Sequence, residues 1–133
     1  MLMWEKRLAK LLHPEKKEAY VYIIEYDSVP IYVGSTLNIS GRQTQHNNSL
    51  LKKGAYHKSW DYPLYSFLRE KGVTKIELKV IKTFEDIKEG FNYKREIIEE
   101  KAIIHCLNKG IKLFNSIYPC KYNDDGTYLI RKI

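Results

Sequence analysis

Apolar residues recur along this chain with two periods, and the switches between them mark out its elements. From Tyr20 to Tyr26, YVYIIEY is β-branched and aromatic apart from Glu25, and strand alternation sets Tyr20, Tyr22, Ile24 and Tyr26 on one face. The pattern resumes from Ile31 to Gly34, so the intervening Asp-Ser-Val-Pro reads as a hairpin turn, with Pro30 where no ladder donor is needed. Lys75 to Ile81 also alternates, with Ile76, Leu78 and Val80 pointing one way and Glu77 and Lys79 the other, as in a half-buried strand. Elsewhere the spacing is helical. Trp4, Leu8, Leu11 and Leu12 predict an amphipathic helix that stops before Pro14. Asn38 is a good N-cap for a helix running through Arg42 and His46 toward Lys53 and ended by Gly54. Gly41 inside that helix costs about 1 kcal/mol relative to Ala and marks close backbone packing. Pro63 opens a short helix with Leu64, Phe67 and Leu68, and Asn92 to Asn108 is the longest helix, closed by Gly110. The tail carries an Asp-Asp-Gly turn between two strand-like runs and reads as a β-ribbon.

Composition narrows the partners. The chain has 133 residues, enough for one domain with a real core, and shows no internal repeat, low-complexity tract or linker. Lys and Arg outnumber Asp and Glu 23 to 16, a net charge of +7 that favours polyanions, nucleic acid first and acidic membrane surfaces second. No apolar run approaches the roughly 20 residues of a membrane span, and the charged start has no apolar core of signal-peptide type. Cys106 and Cys120 show no close-spaced ligand pattern and read as reduced thiols in a cytoplasmic setting.

Four groups suited to phosphate stand out within the first strand-strand-helix unit: Tyr22, Tyr32, Arg42 and His46. Arg42 and His46 are four apart and share a helix face. If that face meets the tyrosine face of the hairpin, all four converge, and Arg42 offers a phosphate a planar fork that Lys cannot duplicate. The alternative is packing tyrosines beside a solvated Arg-His pair. On the long helix, Ile97, Ile104 and Leu107 form a stripe on which Glu100 also falls, while Glu96 and Glu99 reach solvent more easily. A carboxylate aimed at a core costs several kcal/mol unless it is paired or bound to a cation, so Glu100 reads either as a metal ligand or as half of an ion pair. Lys52, Lys53, His57 and Lys58, interleaved with Tyr56 and Trp60, suit nucleic-acid backbone or a plain solvated loop.

Together these residues resemble the GIY-YIG nuclease superfamily. Tyr20-Val-Tyr22, Tyr32-Val-Gly34-Ser35, Arg42, His46, Glu100 followed by Ile104, Leu107 and Asn108, and Asn115 within LFNSI occur in that family's order and at compatible spacings over about residues 19–118. Tyr20 stands where the family usually has Gly, and Val33 where it has Ile. The resemblance implies an α/β (α+β) fold, a small three-stranded antiparallel sheet flanked by helices, with 1–18 as a helical extension and 119–133 as a β-ribbon or tail. It also implies one divalent cation, Mg²⁺ or Mn²⁺, held mainly by Glu100. Tyr22 is expected to activate the attacking water with His46 as proton acceptor, Arg42 and Tyr32 to stabilise the transition state, and Asn115 to orient the cleft or contact phosphate.

The expected function is therefore metal-dependent DNA cleavage, of single-stranded or branched substrates among others. A binding module that has lost cleavage and a dimeric, site-specific restriction-type enzyme stay open as alternatives. A monomer is favoured, and the stripe of Trp4, Leu8, Leu11 and Leu12 is the candidate surface for a dimer.

Overall fold

The hairpin that begins the sheet turns on two residues. The computed structural model describes residues 2–12, 17–54 and 57–115; the β-ribbon expected over 119–133 lies outside the described residues. Strand β1 (Glu18–Tyr26) pairs antiparallel with β2 (Val29–Thr36), and Tyr26 faces Val29, so only Asp27 and Ser28 form the loop. Both lie in the left-handed region, φ 53° and 63°, as a tight hairpin matched to strand twist requires. The second strand thus starts two residues before the expected Ile31. The pairing steps from Ile24–Tyr32 to Glu25–Pro30, which leaves Ile31 as the extra residue of a bulge.

The sheet order is β2-β1-β3, with β3 at Lys79–Glu85 antiparallel to β1. The strand expected at Lys75–Ile81 therefore lies four residues further on. The reason is local: the Asn47 side chain accepts from Ile76 N at 2.7 Å and donates to Ile76 O at 3.0 Å, and Gln43 accepts from Leu78 N at 3.0 Å. Side chains of a helix satisfy the backbone that a sheet ladder would otherwise satisfy.

Alternation along β1 divides the core in two. Val21 and Ile23 pack with Val33, Phe84, Ile103 and Cys106, which brings helix α4 (Lys94–Asn108) onto one face. Tyr22 and Ile24 pack with Leu50, Leu64, Tyr65 and Leu68, which brings α2 (Ile39–Leu50) and α3 (Pro63–Glu70) onto the other. The result is the α+β fold expected from the sequence, a three-stranded antiparallel sheet with flanking helices. Asn38 caps α2 by accepting from Gly41 N at 3.0 Å, and a Cβ on Gly41 would meet the Asn38 amide at 2.6 Å, so glycine is what lets the cap fold back. That helix ends at Leu50, before Lys53, with Lys52 and Gly54 both at positive φ. An Asp86–Arg95 ion pair, with Asp86 also accepting from Arg95 N, fixes the start of α4. Helix α1 (Met3–Leu12) leaves Trp4 and Leu8 exposed.

The outer edge of β2 is covered by the segment after α4. Phe114 N donates to Ile31 O at 2.7 Å, and the Asn115 amide accepts from Val33 N at 3.0 Å while donating to Val33 O at 2.6 Å. An edge strand left bare would expose these groups. Replacing Asn115 with the near-isosteric Leu leaves both Val33 groups buried without partners, a loss of about 2–4 kcal/mol. Urea denaturation of Asn115→Leu against wild type measures it; an unchanged midpoint would show that Asn115 does not hold this edge.

Candidate active site

Tyr22 and Tyr32 lie on the α2–α3 face of the hairpin with ring centroids 6.3 Å apart. Tyr22 is fully buried, and the residue paired with it across the strands is Gly34. A Cβ at Gly34 would fall 2.4 Å from the Tyr22 hydroxyl, so the glycine makes the space in which that hydroxyl sits. His46 comes from α2 and stands edge-on to both phenols, at 5.8 Å and 76° from Tyr22 and 5.5 Å and 74° from Tyr32. Its Nε2 is 2.8 Å from the Tyr22 hydroxyl, and its Nδ1 is 2.8 Å from the hydroxyl of Tyr65 on α3. Arg42, one turn before His46, places its charge close enough to act on Tyr22, Tyr32, His46 and Tyr65. The convergence anticipated for Tyr22, Tyr32, Arg42 and His46 is thus present.

Burial sets the protonation states. It pushes His46 down to about 4, and the Arg42 charge acts in the same direction. It pushes the Tyr22 and Tyr32 phenols up, against the pull of Arg42, and Tyr65 up to about 12. At neutral pH the imidazole is therefore uncharged, with one N–H to donate and one lone pair to accept. Only one of its two phenol partners can donate to it. If Nε2 is to receive a proton from Tyr22, then Nδ1 carries the hydrogen and Tyr65 accepts it. Tyr65 is also bonded to Ser49, and the Ser49 hydroxyl lies 2.7 Å from that of Ser59, so the chain continues outward from the core.

On the opposite face the carboxylate at the site is that of Glu99. It accepts from the Ser35 hydroxyl at 3.2 Å, and its charge acts on both Tyr22 and Tyr32. Burial raises its own carboxyl, opposed by the Ser35 bond and the Arg42 charge. Glu99 and Glu100 are both half-buried, while Glu96 is exposed. The stripe of α4 that packs on the sheet includes Ala102, Ile103 and Cys106, and Glu99 lies three, four and seven residues before them. Glu100 is half-buried, one residue and about 100° further round. Asn115 is buried and committed to the Val33 backbone, so it holds the strand between Tyr32 and Gly34.

A cleft of about 840 Å³ opens beside these groups. Tyr32, Arg42 and His46 line it together with Asn48, Lys53, Lys58 and Tyr62. Of the four basic-loop residues singled out from sequence, Lys53 and Lys58 are on this wall; Lys52 is exposed in the turn after α2, and the exposed His57 packs its ring on Trp60 at 4.4 Å. Arg69 donates to Ser49 O and Leu50 O at 3.1 Å and to Trp60 O, which ties the end of α2 to the 57–62 segment. Sequence reading missed Tyr65, Glu99, Ser35 and Arg69. Tyr65 had a signal: it lies three before Leu68 on the buried arc of a short helix, where a phenol needs a partner for its hydroxyl.

A family model described as the GIY-YIG catalytic domain matches residues 18–112. No curated protein and no solved structure matches the chain.

Two outcomes follow from the histidine. Its folded pKa, about 4, lies below the 6.5 of a free imidazole, so between these values the unfolded chain takes up a proton that the folded one refuses. Stability contributed by neutral His46 is full above pH 6.5 and falls as pH drops toward 4, by roughly 3 kcal/mol in all. Denaturation of wild type and His46→Gln at pH 7 and 4.5 checks this; equal pH dependence in both proteins would remove His46 as its cause. Separately, Tyr65→Phe deletes the acceptor at Nδ1, so the ¹⁵N resonances of His46 should move toward the tautomer protonated at Nε2. Unchanged resonances would mean that Tyr65 does not set the tautomer.

Proposed function

The chain belongs to the GIY-YIG catalytic-domain family, and on that premise we propose that it is a metal-dependent endonuclease that hydrolyses phosphodiester bonds in DNA. The observation that carries this reading is the buried Tyr22–His46–Tyr65 chain, with Arg42 and Tyr32 between it and an open cleft and the Glu99 carboxylate on the far side.

Water attacking phosphorus must lose a proton. The resemblance gives that proton to Tyr22, but Tyr22 is fully buried and does not line the cleft, whereas Tyr32 does. Tyr22 therefore acts through Tyr32, whose ring centroid lies 6.3 Å from its own. A proton leaves water for the Tyr32 oxygen, the Tyr32 proton passes to Tyr22, and the Tyr22 proton moves to Nε2 of His46. An imidazolium is disfavoured there, so the bond to Tyr65 matters: it shares the positive charge across Nδ1. Arg42 presents its fork to the non-bridging phosphate oxygens as charge builds on them.

The residues present fit a hard divalent cation. Among the described residues no group of three His, Cys, Asp or Glu side chains could hold one alone. A desolvated Glu99 carboxylate beside the Ser35 hydroxyl suits an Mg²⁺ or Mn²⁺ ion that takes its other ligands from substrate oxygens and water. The chemistry such an ion supplies is charge neutralisation at the leaving oxygen. We assign the role expected of Glu100 to Glu99, whose carboxylate meets the Ser35 hydroxyl and whose charge acts on both tyrosines, although Glu100 also keeps one carboxylate oxygen buried.

Incubation of the protein with single-stranded, duplex and branched DNA in Mg²⁺, Mn²⁺ or EDTA tests the function. Cleavage requiring the metal is expected, and DNA binding without cleavage under every condition would leave only the silent-module reading. Glu99→Gln should lower the cleavage rate at least a hundredfold, about 2.7 kcal/mol of barrier, while Glu100→Gln should cut within a fewfold of wild type. The reverse pattern would return the metal to Glu100.

A further inference from the structure

The cleft is larger than the phosphate chemistry needs, and the lining it adds to the phosphate-handling groups, its second lobe, has its own composition. Beyond Arg42 it runs past α2 to the 57–62 segment that Arg69 fastens in place. Three cations, Arg42, Lys53 and Lys58, line the whole cleft, and no described carboxylate does. The amides of Gln45 and Asn48 also line it and make no side-chain hydrogen bond among the described residues. Tyr62 stands on its wall with 55% of its surface exposed, and its ring lies nearly parallel to that of Tyr65, at 6.4 Å and 16°. Although Tyr62 is the N-cap residue of α3, its side chain makes no capping bond, so helix termination does not account for the aromatic ring.

We propose that this lobe is a nucleobase subsite, in which one unpaired base stacks on Tyr62 with its edge toward the Gln45 and Asn48 amides while Lys53 and Lys58 meet the adjoining phosphates. The assignment rests on the nuclease reading and sharpens it: the substrate is a strand whose base beside the cut is free, either single-stranded DNA or the unpaired arm of a branch. A cleft of 840 Å³ lies within the roughly 300–1,000 Å³ of sites that enclose one small molecule, so it admits a nucleotide. A duplex would have to flip the base out and bear the unstacking cost; a single strand does not. Aromatic platforms are tolerant of sequence because every base has a π face, so this subsite selects structure and leaves sequence largely unread. The continuity of Tyr62 with Tyr65, and through it with His46, places the stacked base directly beside the phosphate-handling groups.

The test is a binding cycle in EDTA, where no strand is cut. Wild type, Tyr62→Ala and Tyr62→Phe are titrated into a labelled single-stranded oligonucleotide, into the same strand with one abasic position moved along it, and into the matching duplex. Stacking on one ring is worth roughly a five- to hundredfold change in affinity. Tyr62→Ala should weaken single-strand binding by that order with little effect on the duplex, and Tyr62→Phe should bind as wild type does. One abasic position should cost wild type the same factor and cost Tyr62→Ala nothing more. Additive losses, equal weakening on duplex and single strand, or a wild type indifferent to every abasic position would each overturn the subsite. The wild-type abasic scan decides the matter even if the alanine variant misfolds. The two readings fail separately: coupling in the cycle with no cleavage in Mg²⁺ or Mn²⁺ refutes the nuclease and keeps the subsite, whereas cleavage without coupling does the opposite.

Discussion

A neutral imidazole can give one hydrogen and accept one, and His46 uses both on phenols that come from different layers of the fold. Tyr22 belongs to β1 in the middle of the sheet, His46 to α2 and Tyr65 to α3, so two bonds of 2.8 Å join three elements at one buried point. The arrangement is demanding because each polar atom is out of reach of water and an unpaired one would be costly. Its geometry then dictates choices elsewhere. Gly34 must lack a side chain to leave room for the Tyr22 hydroxyl. The Asn38 cap fixes where α2 starts, and hence that position 46 faces the sheet. Arg69 and Asn47 tie the far end of α2 to its neighbours, which keeps the imidazole at its two distances.

The sandwich brings its two helical layers to the same place at the Gly34–Ser35 end of β2. Tyr32 points to the α2 layer and Ser35 to α4, and with no side chain at Gly34 the Glu99 charge acts on phenols rooted in the other face. The edge of β2 would be a weak foundation for this if it were bare. Asn115 clamps Val33 between Tyr32 and Gly34 through the backbone.

Much of this was legible in the sequence, and the failures have definite causes. Period-two alternation placed Tyr22 correctly on the face away from Val21, and the spacing of Asn38, Arg42 and His46 predicted the helix and a shared face, without saying whether that face turns inward. The strand near Ile76 was misplaced because alternation reports only that a segment is extended and half-buried; it does not say whether side chains such as Asn47 or a neighbouring strand satisfy its backbone. The stripe drawn through Ile97, Ile104 and Leu107 caught only part of the buried arc: Ile104 is buried and Leu107 packs on the core, but Ile98, Ala102, Ile103 and Cys106 do so as well. Cys106 was passed over because a buried thiol behaves as a small apolar group that a count of large side chains misses. Ser35 was named only as part of a motif, because its partner Glu99 is 64 residues away and nothing local marks a hydroxyl for such a bond.

The charges around the cleft bear on how metal and substrate relate in the proposed reaction. Arg42, Lys53 and Lys58 attract a phosphodiester, but Glu99 acts on the same tyrosines from the other side and repels it. In a desolvated setting that repulsion is not screened as it would be in bulk water. A divalent cation between carboxylate and phosphate turns it into two attractions. Without substrate, however, such an ion would lack a full set of ligating side chains among the described residues and would bind weakly. Each ligand therefore supplies what the other lacks, and by linkage each raises the affinity of the other by the same factor. Weak metal binding to the free protein is thus the expected counterpart of a strong metal requirement in the complex, since both follow from placing a carboxylate opposite a cleft lined with cations.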